Sequence, residues 1–250
     1  MAIDLNTLKG LTENPPRIIL LGGRGVGKTT MAINAPNPFF INLEKSRIYK
    51  DLGPGNQGPD TYSEMMDLIK ALCKQEHEYK TLIIDTLDKL EILITEHVCK
   101  VNGYPNINQT KWGEGLSKRH DEWTNLLKAL DWLCSSKQMI IILVAHTTVE
   151  KVTEPMLPEY DRHTMKLYKR DGPTIGDWSD VIGLCSIKTY TTQEGERHMA
   201  ITKGERVVCC QPNPSYEAKT RYLGMPEEIP LVWAEFAQYF RTTNTKNGDE

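Results

Sequence analysis

The sequence predicts an α/β fold, a mainly parallel sheet with helices on both faces, and three observations carry that expectation. First, an apolar strand at Ile18–Leu21 runs into Gly22-Gly-Arg-Gly-Val-Gly-Lys-Thr29, which matches G-x-x-x-x-G-K-[ST], and Met31-Ala-Ile follows as a helix. Second, four short apolar runs of strand length alternate with segments of helical period, the pattern of a sheet buried on both faces. Third, two of those runs end on a carboxylate, at Glu44 and Asp85, and a third ends at His146.

Taken in order, Met1 to Pro16 is a lead-in, closed by Pro15-Pro16, which cannot continue a helix. The strand and P-loop come next. Pro36 and Pro38 then interrupt the chain before a second strand, Phe39–Leu43, that ends on Glu44. Gly53 to Pro59 has the turn chemistry of a loop. Thr61-Tyr-Ser-Glu64 has capping-box spacing, and Tyr62, Met65, Met66, Ile69, Leu72 and Cys73 recur at helical period after it.

A third strand, Thr81–Asp85, is followed by a helix marked by Leu87, Leu90, Ile94 and Val98. Val101 to Gly115 reads as a loop, and Trp123, Leu126, Leu127, Leu130, Leu133 and Cys134 mark the next amphipathic helix. Met139–Ala145 is a fourth buried strand. From Thr147 to Gly176 the chain is polar and charged, and reads as a long loop. Asp177 to Ile187 regains helix or strand character, Arg197 to Lys203 reads as a short strand, and Leu231 to Phe240 as a terminal helix. The domain therefore spans residues 17–241, and Thr242 to Glu250 reads as a disordered polar tail.

Composition narrows the setting. The chain is 39% hydrophobic and 25% charged over 250 residues, ordinary for one α/β domain. A formal net charge of -3 neither marks nor excludes a nucleic-acid partner, because a local basic stripe suffices. Six scattered cysteines show no C-x-x-C and no paired zinc spacing, which favours reduced thiols in a cytoplasmic setting over disulfides. Met1-Ala-Ile-Asp lacks the basic start of a signal peptide, and Met139–Ala145, the longest apolar run, is too short to span a membrane.

The P-loop residues suggest the chemistry. Glycines at Gly22, Gly23, Gly25 and Gly27 let backbone N–H groups around Arg24, Val26 and Thr30 face phosphates. Lys28 is expected on the β- and γ-phosphates of ATP, and the Thr29 hydroxyl on Mg²⁺, with Asp85 as the second metal-site residue. Glu44 has two readings: a general base that orients the attacking water, or a surface carboxylate paired with Lys45 or Arg47. His146 likewise reads as a sensor of the γ-phosphate or as a structural histidine.

The succession Gly22–Thr29, Phe40-Ile-Asn-Leu-Glu44, Leu82-Ile-Ile-Asp85 and Ile142-Leu-Val-Ala-His146 resembles the RecA-like P-loop ATPase core. Within it the chain looks most like the phage single-strand annealing group, also described as AAA-domain nucleotide-binding proteins. Leu167-Tyr-Lys-Arg170 leading to Trp178-Ser-Asp180, and Ala218-Lys-Thr-Arg221, add to the likeness, which covers most of Arg17 to Leu231.

The resemblance implies that Glu44 activates water and that His146 stands in for the recombinases' sensing amide. It implies that Lys219 and Arg221 reach the nucleotide of a neighbouring subunit, where such cations stabilise the transferring phosphoryl group. It also implies that Asn102–Gly115 and Thr147–Gly176 line a DNA channel. In the second segment Arg162, Lys166, Lys169 and Arg170 alternate with Tyr160 and Tyr168, and Trp178 lies just beyond. Cations that track phosphates and aromatics that stack bases suit single-stranded DNA; a solvated loop of mixed charge is the plain alternative. The implied protein is a Mg²⁺-dependent ATPase of the cytoplasm (the host's, for a phage protein). It would assemble with nucleotide at subunit interfaces and anneal or pair DNA strands, with a single-strand-binding protein as a further partner. Two rivals use the same loop: a small-molecule phosphotransferase, and a nucleotide switch that docks a partner without hydrolysis.

Overall fold

The computed structural model describes residues 14–47, 51–155, 158–194 and 197–240, with only the backbone described over 190–203. The lead-in up to residue 13 and the tail fall outside the described residues. Four apolar runs become the centre of one sheet: β1 (Arg17–Gly22), β2 (Pro38–Asn42), β3 (Thr81–Asp85) and β4 (Ile140–Ala145). Their side chains are buried on both faces apart from Arg17 and Ile140, which are half-buried, so they show no polar alternation.

The order across the sheet is β2-β3-β4-β1-β7, all parallel, with β7 being Val181–Glu194. Beyond β7 the sheet turns antiparallel through β8 (Arg197–Cys209) and β10 (Glu228–Pro230), and β9 (Lys219–Thr220) pairs with the start of β7. The strand Arg197–Lys203 expected from sequence is thus the first half of a longer one.

Helices α2 (Tyr62–Lys74), α3 (Leu87–Asn102) and α4 (Glu114–Ser136) cover one face, packing on Ile19, Leu21, Ile41 and Ile84. The other face, with Ile18, Leu20, Phe40 and Ile83, is covered by α1 (Lys28–Ala32) and by α6 (Trp233–Ala237) with its trailing 3₁₀ turn. Half of the predicted capping box forms at α2: Thr61 Oγ1 accepts the Glu64 N–H at 3.2 Å, while the Glu64 carboxylate accepts the N–H of Asp60, one residue before the cap, at 2.8 Å.

Two expectations need correction. The loop over Thr147–Gly176 is a hairpin, β5 (Thr147–Val152) with β6 (Tyr160–Met165), followed by α5 (Asp171–Trp178). This two-stranded ribbon is half-buried to exposed apart from Met165, and its strands mix charge with β-branched residues, so hydrophobic periodicity is weak. The loop over Val101–Gly115 shrinks to 103–113, because α3 and α4 extend into it from both sides.

Candidate nucleotide site

The strand ends that matter lie together at one edge of the parallel sheet. Gly22 closes β1 in a conformation that brings its Cα against the neighbouring strand: a Cβ there would meet the Cys185 carbonyl oxygen at 2.5 Å. Gly27 has φ +108, and its carbonyl accepts the Met31 N–H at 2.9 Å, so the loop turns straight into α1 at Lys28. The helix therefore starts three residues earlier than Met31.

Lys28 is buried, and its Nζ donates to the Gly22 and Gly23 carbonyls, both at 2.8 Å. Burial pulls the ammonium below its usual pKa, against the raising influence of Cys185, Asp85, Glu44 and Asp88. Two of its three protons are committed, which leaves one for an anion in the cleft. Val26 points into the core, and Arg24, Gly25, Gly27, Thr29 and Thr30 line a cleft of about 480 Å³. A larger cleft of about 720 Å³ around Asn37 and Tyr79 contains none of these residues.

Thr29 Oγ1 donates to Asp85 Oδ2 at 2.5 Å. Asp85 is 1% exposed, and burial pushes its carboxyl up to about 6, more than the Thr29 hydrogen bond lowers it. Its other oxygen, Oδ1, is buried without a hydrogen-bond partner. A buried carboxylate oxygen left unpaired beside a threonine hydroxyl fits a hydrated divalent cation, the expected Mg²⁺ site. Among the described residues no cluster of three or more acidic, histidine or cysteine side chains forms a metal cage. A P-loop metal needs none, since its remaining ligands are phosphates and water.

Glu44 lies two residues beyond β2, in a turn fixed from below. The Asp85 carbonyl accepts N–H bonds from Leu43 at 2.8 Å and Glu44 at 3.2 Å, and buried Asn42 ties the turn to Ser46 and Asn56. Lys45 pairs with Asp60, so the adjacent lysine is engaged elsewhere. The Glu44 carboxylate faces the cleft, with Oε1 3.8 Å from His146 Nε2. On its other side the imidazole meets Asp88 through Nδ1 at 2.9 Å. Burial alone would raise the Asp88 carboxyl, but the hydrogen bond with His146 and its charge help to hold it below its usual range. Asp88, Lys89 and Arg206 join this edge without any sequence signal, since the strand-end motif closes at Asp85 and β8 is remote in the chain.

Lys219 and Arg221 are not at this edge. They lie beside the first residues of β7, at the opposite end of the strands from the P-loop. Lys219 Nζ donates to the carbonyls of Gly176, Asp177 and Ser179 at 2.8–2.9 Å, capping the end of α5. Arg221 binds the Asp180 carboxylate and the Asp177 carbonyl. The structure gives both cations partners inside their own chain, because β9 returns antiparallel along β7. Trp178 belongs to the same cluster: it donates to Asp131 and lies under Arg17, so it is not an aromatic of the hairpin segment.

The second segment expected at DNA packs on the first turns of α4, just beyond the first segment. Arg170 Nη1 reaches Ser117 Oγ at 3.5 Å, and the Arg119 guanidinium lies 4.6 Å over the Tyr168 ring. Lys166, Lys169 and Arg170 are exposed. One face of Tyr168 is taken by Arg119, and Arg162 lines a small cleft with Glu150 and Glu217, so these two are less open than expected. Among the described residues Trp112, in the shortened loop between α3 and α4, is a fully exposed aromatic. Beneath, Arg119 and His120 both bind Asp171, which is 1% exposed and anchors α5 to α4.

The sequence profile of the AAA domain family matches residues 14–222. The chain belongs to the AAA domain family. This member is a P-loop nucleotide-binding domain, with its glycine loop, lysine, threonine and strand-end carboxylate within the matched span. Among proteins of curated function none matches the sequence. The solved structure of the RadB recombinase is similar, with a TM-score of 0.46 and 12% identity, 89% of this chain and 90% of that one being covered. No helix among the described residues is long and apolar enough to cross a membrane.

Proposed function

We propose that this AAA domain protein is a RecA-like, Mg²⁺-dependent ATPase that holds single-stranded DNA and couples nucleotide state to annealing or strand pairing in recombination. One observation carries the reading: His146 joins the P-loop cleft to the base of the β5–β6 hairpin. Its ring stands between Glu44 and Asp88 at the P-loop cleft, and its carbonyl accepts the Lys166 N–H at 2.8 Å, closing the base of the β5–β6 hairpin. A change at the cleft that moves this residue pulls directly on the segment carrying Lys166, Lys169 and Arg170.

In this reading Thr29 and Asp85 hold the metal, which when bound neutralises charge on the phosphates. Lys28 binds the β- and γ-phosphates, Glu44 takes the proton of the attacking water, and His146 registers the γ-phosphate. Lys166, Lys169 and Arg170 track the DNA backbone, and exposed Trp112 offers a face for a base. Copies assemble with nucleotide between subunits; Lys219 reaches a neighbour only by releasing the α5 carbonyls it now binds.

The test is ATP turnover with and without single-stranded DNA, in the wild type and in a Lys166→Ala, Lys169→Ala, Arg170→Ala variant. The DNA is expected to stimulate the wild type. The variant should keep basal turnover and lose stimulation. Its DNA affinity should also depend less on salt, by about 0.7 in log–log slope for each phosphate that the protein no longer neutralises. Stimulation and salt slope equal to wild type would remove the hairpin segment from the DNA site.

A further inference from the structure

The P-loop motif does not include every cation at the phosphate loop. Arg206, on β8, comes to it from the antiparallel end of the sheet. A Cβ on Gly27 would meet Arg206 Nη1 at 3.3 Å, so the guanidinium lies against the loop glycine that precedes Lys28. The backbone there is fixed on both sides: Arg206 pairs with Ile187 of β7, and its carbonyl accepts the Leu231 N–H at 2.9 Å.

The side chain itself is uncommitted. Arg17, Arg119 and Arg221 each bind a carboxylate, whereas the exposed Arg206 side chain has no ion pair or hydrogen bond among the described residues. It also stands at a junction. Beside the P-loop cleft lies a second cleft of about 340 Å³, lined by Asn34, Leu231 and Trp233, among others. The two share Gly27, Thr30 and Arg206, while Glu44, Asp85 and His146 line only the first. Arg206 therefore sits at the end of the phosphate cleft away from the hydrolytic side chains.

We propose that Arg206 is a nucleotide-binding residue that acts within its own chain and grips the non-transferred phosphates of a nucleoside di- or triphosphate. The proposal rests on the P-loop reading and deepens it. A planar guanidinium can bind two phosphate oxygens at once, and its position between the clefts matches the part of a nucleotide that ATP and ADP have in common. A cation placed there strengthens the binding of both and does not single out the γ-phosphate.

Fluorescent ADP and ATP analogues titrated with Mg²⁺ into wild type, Arg206→Ala and Arg206→Lys provide the test, with circular dichroism to confirm folding. Arg206→Ala should weaken both nucleotides by a similar factor, roughly 10- to 100-fold for a charge-assisted hydrogen bond. Arg206→Lys keeps charge but not the fork, and should fall between. Should the alanine variant misfold, Arg206→Lys and Arg206→Gln are compared instead, and glutamine should be the weaker binder. Unchanged ADP affinity overturns the proposal, as does a loss confined to ATP, which would mark a γ-phosphate contact. In mixtures of Arg206→Ala with Lys28→Ala each copy keeps its own defect, so no tight sites should appear; their recovery would show action between chains and overturn it too. A folded wild type that binds neither nucleotide would sink the P-loop reading along with this one.

Discussion

The two ends of the parallel strands carry similar charged side chains and use them in opposite ways. At the N-terminal end of β1 and β7, Arg17 binds Asp180 through Nε and Nη2 and Asp131 through Nη1, while Trp178 supports the guanidinium and also donates to Asp131. Arg221 adds a bond to Asp180, and Lys219 commits all three protons to carbonyls at the end of α5. At the C-terminal end, Lys28 keeps a proton free, Asp85 keeps an unpaired buried oxygen, Glu44 has His146 only at 3.8 Å, and Arg206 is unpaired among the described residues. A cluster with its donors and acceptors used up holds the fold together. One that leaves them open, in a cleft and at the cost of burial, is set up for a ligand.

Substitutions at the two ends should therefore separate cleanly. The largest effect is expected from Lys28→Ala, which removes the buried ammonium on the phosphates; nucleotide binding, read by calorimetry, should vanish. Retention of wild-type affinity would break the comparison outright. Next comes Glu44→Gln, which keeps shape and loses the base: nucleotide affinity should hold while hydrolysis falls about a hundredfold or more. If affinity and turnover fall together, Glu44 supports the turn and not the chemistry.

At the closed end, a Lys219→Ala, Arg221→Ala double variant should bind ATP as wild type does and melt a few degrees lower, at about 2–4 °C per kcal/mol for a chain of this size. Poor turnover at unchanged affinity, restored by mixing with Lys28→Ala, would instead show that these cations serve a neighbour's nucleotide.

The smallest effect is a pH dependence at Asp180. Burial would raise this carboxyl, but the Arg17 hydrogen bonds and the charges of Arg17 and Arg221 outweigh it and hold it below its ordinary 3.8. A depressed carboxylate contributes stability above its unfolded pKa and loses it as pH falls through the lower folded value. Asp180→Asn should then be less stable than wild type at neutral pH and approach it as pH falls through the lower folded value. Denaturant melts at several pH values read this directly, and a constant difference would exclude the ion pair as its cause.

The centre of the sheet and the edge at which ligands bind are legible in the amino-acid order alone. Four apolar runs buried on both faces can form little else than parallel strands, and a glycine loop between strand and helix declares its own geometry. Gly22–Thr30, Glu44, Asp85 and His146 follow from that local pattern, and all but Gly22, Gly23 and Val26 line the cleft. Contacts between residues distant in the chain had to wait for the folded molecule. Periodicity could not show the β5–β6 ribbon, because the face of β6 that is partly covered carries Tyr160, Arg162 and Thr164 in place of aliphatic residues. The resemblance sends Lys219 and Arg221 to a neighbour's nucleotide, yet β9 folds along β7 and hands them the end of α5 and Asp180. Arg206 sits 178 positions after Lys28 in the chain and meets the P-loop only because β8 lies alongside β7, which lies alongside β1. Local sequence sets which backbone forms; whether a charge is satisfied or left open depends on which strand becomes its neighbour.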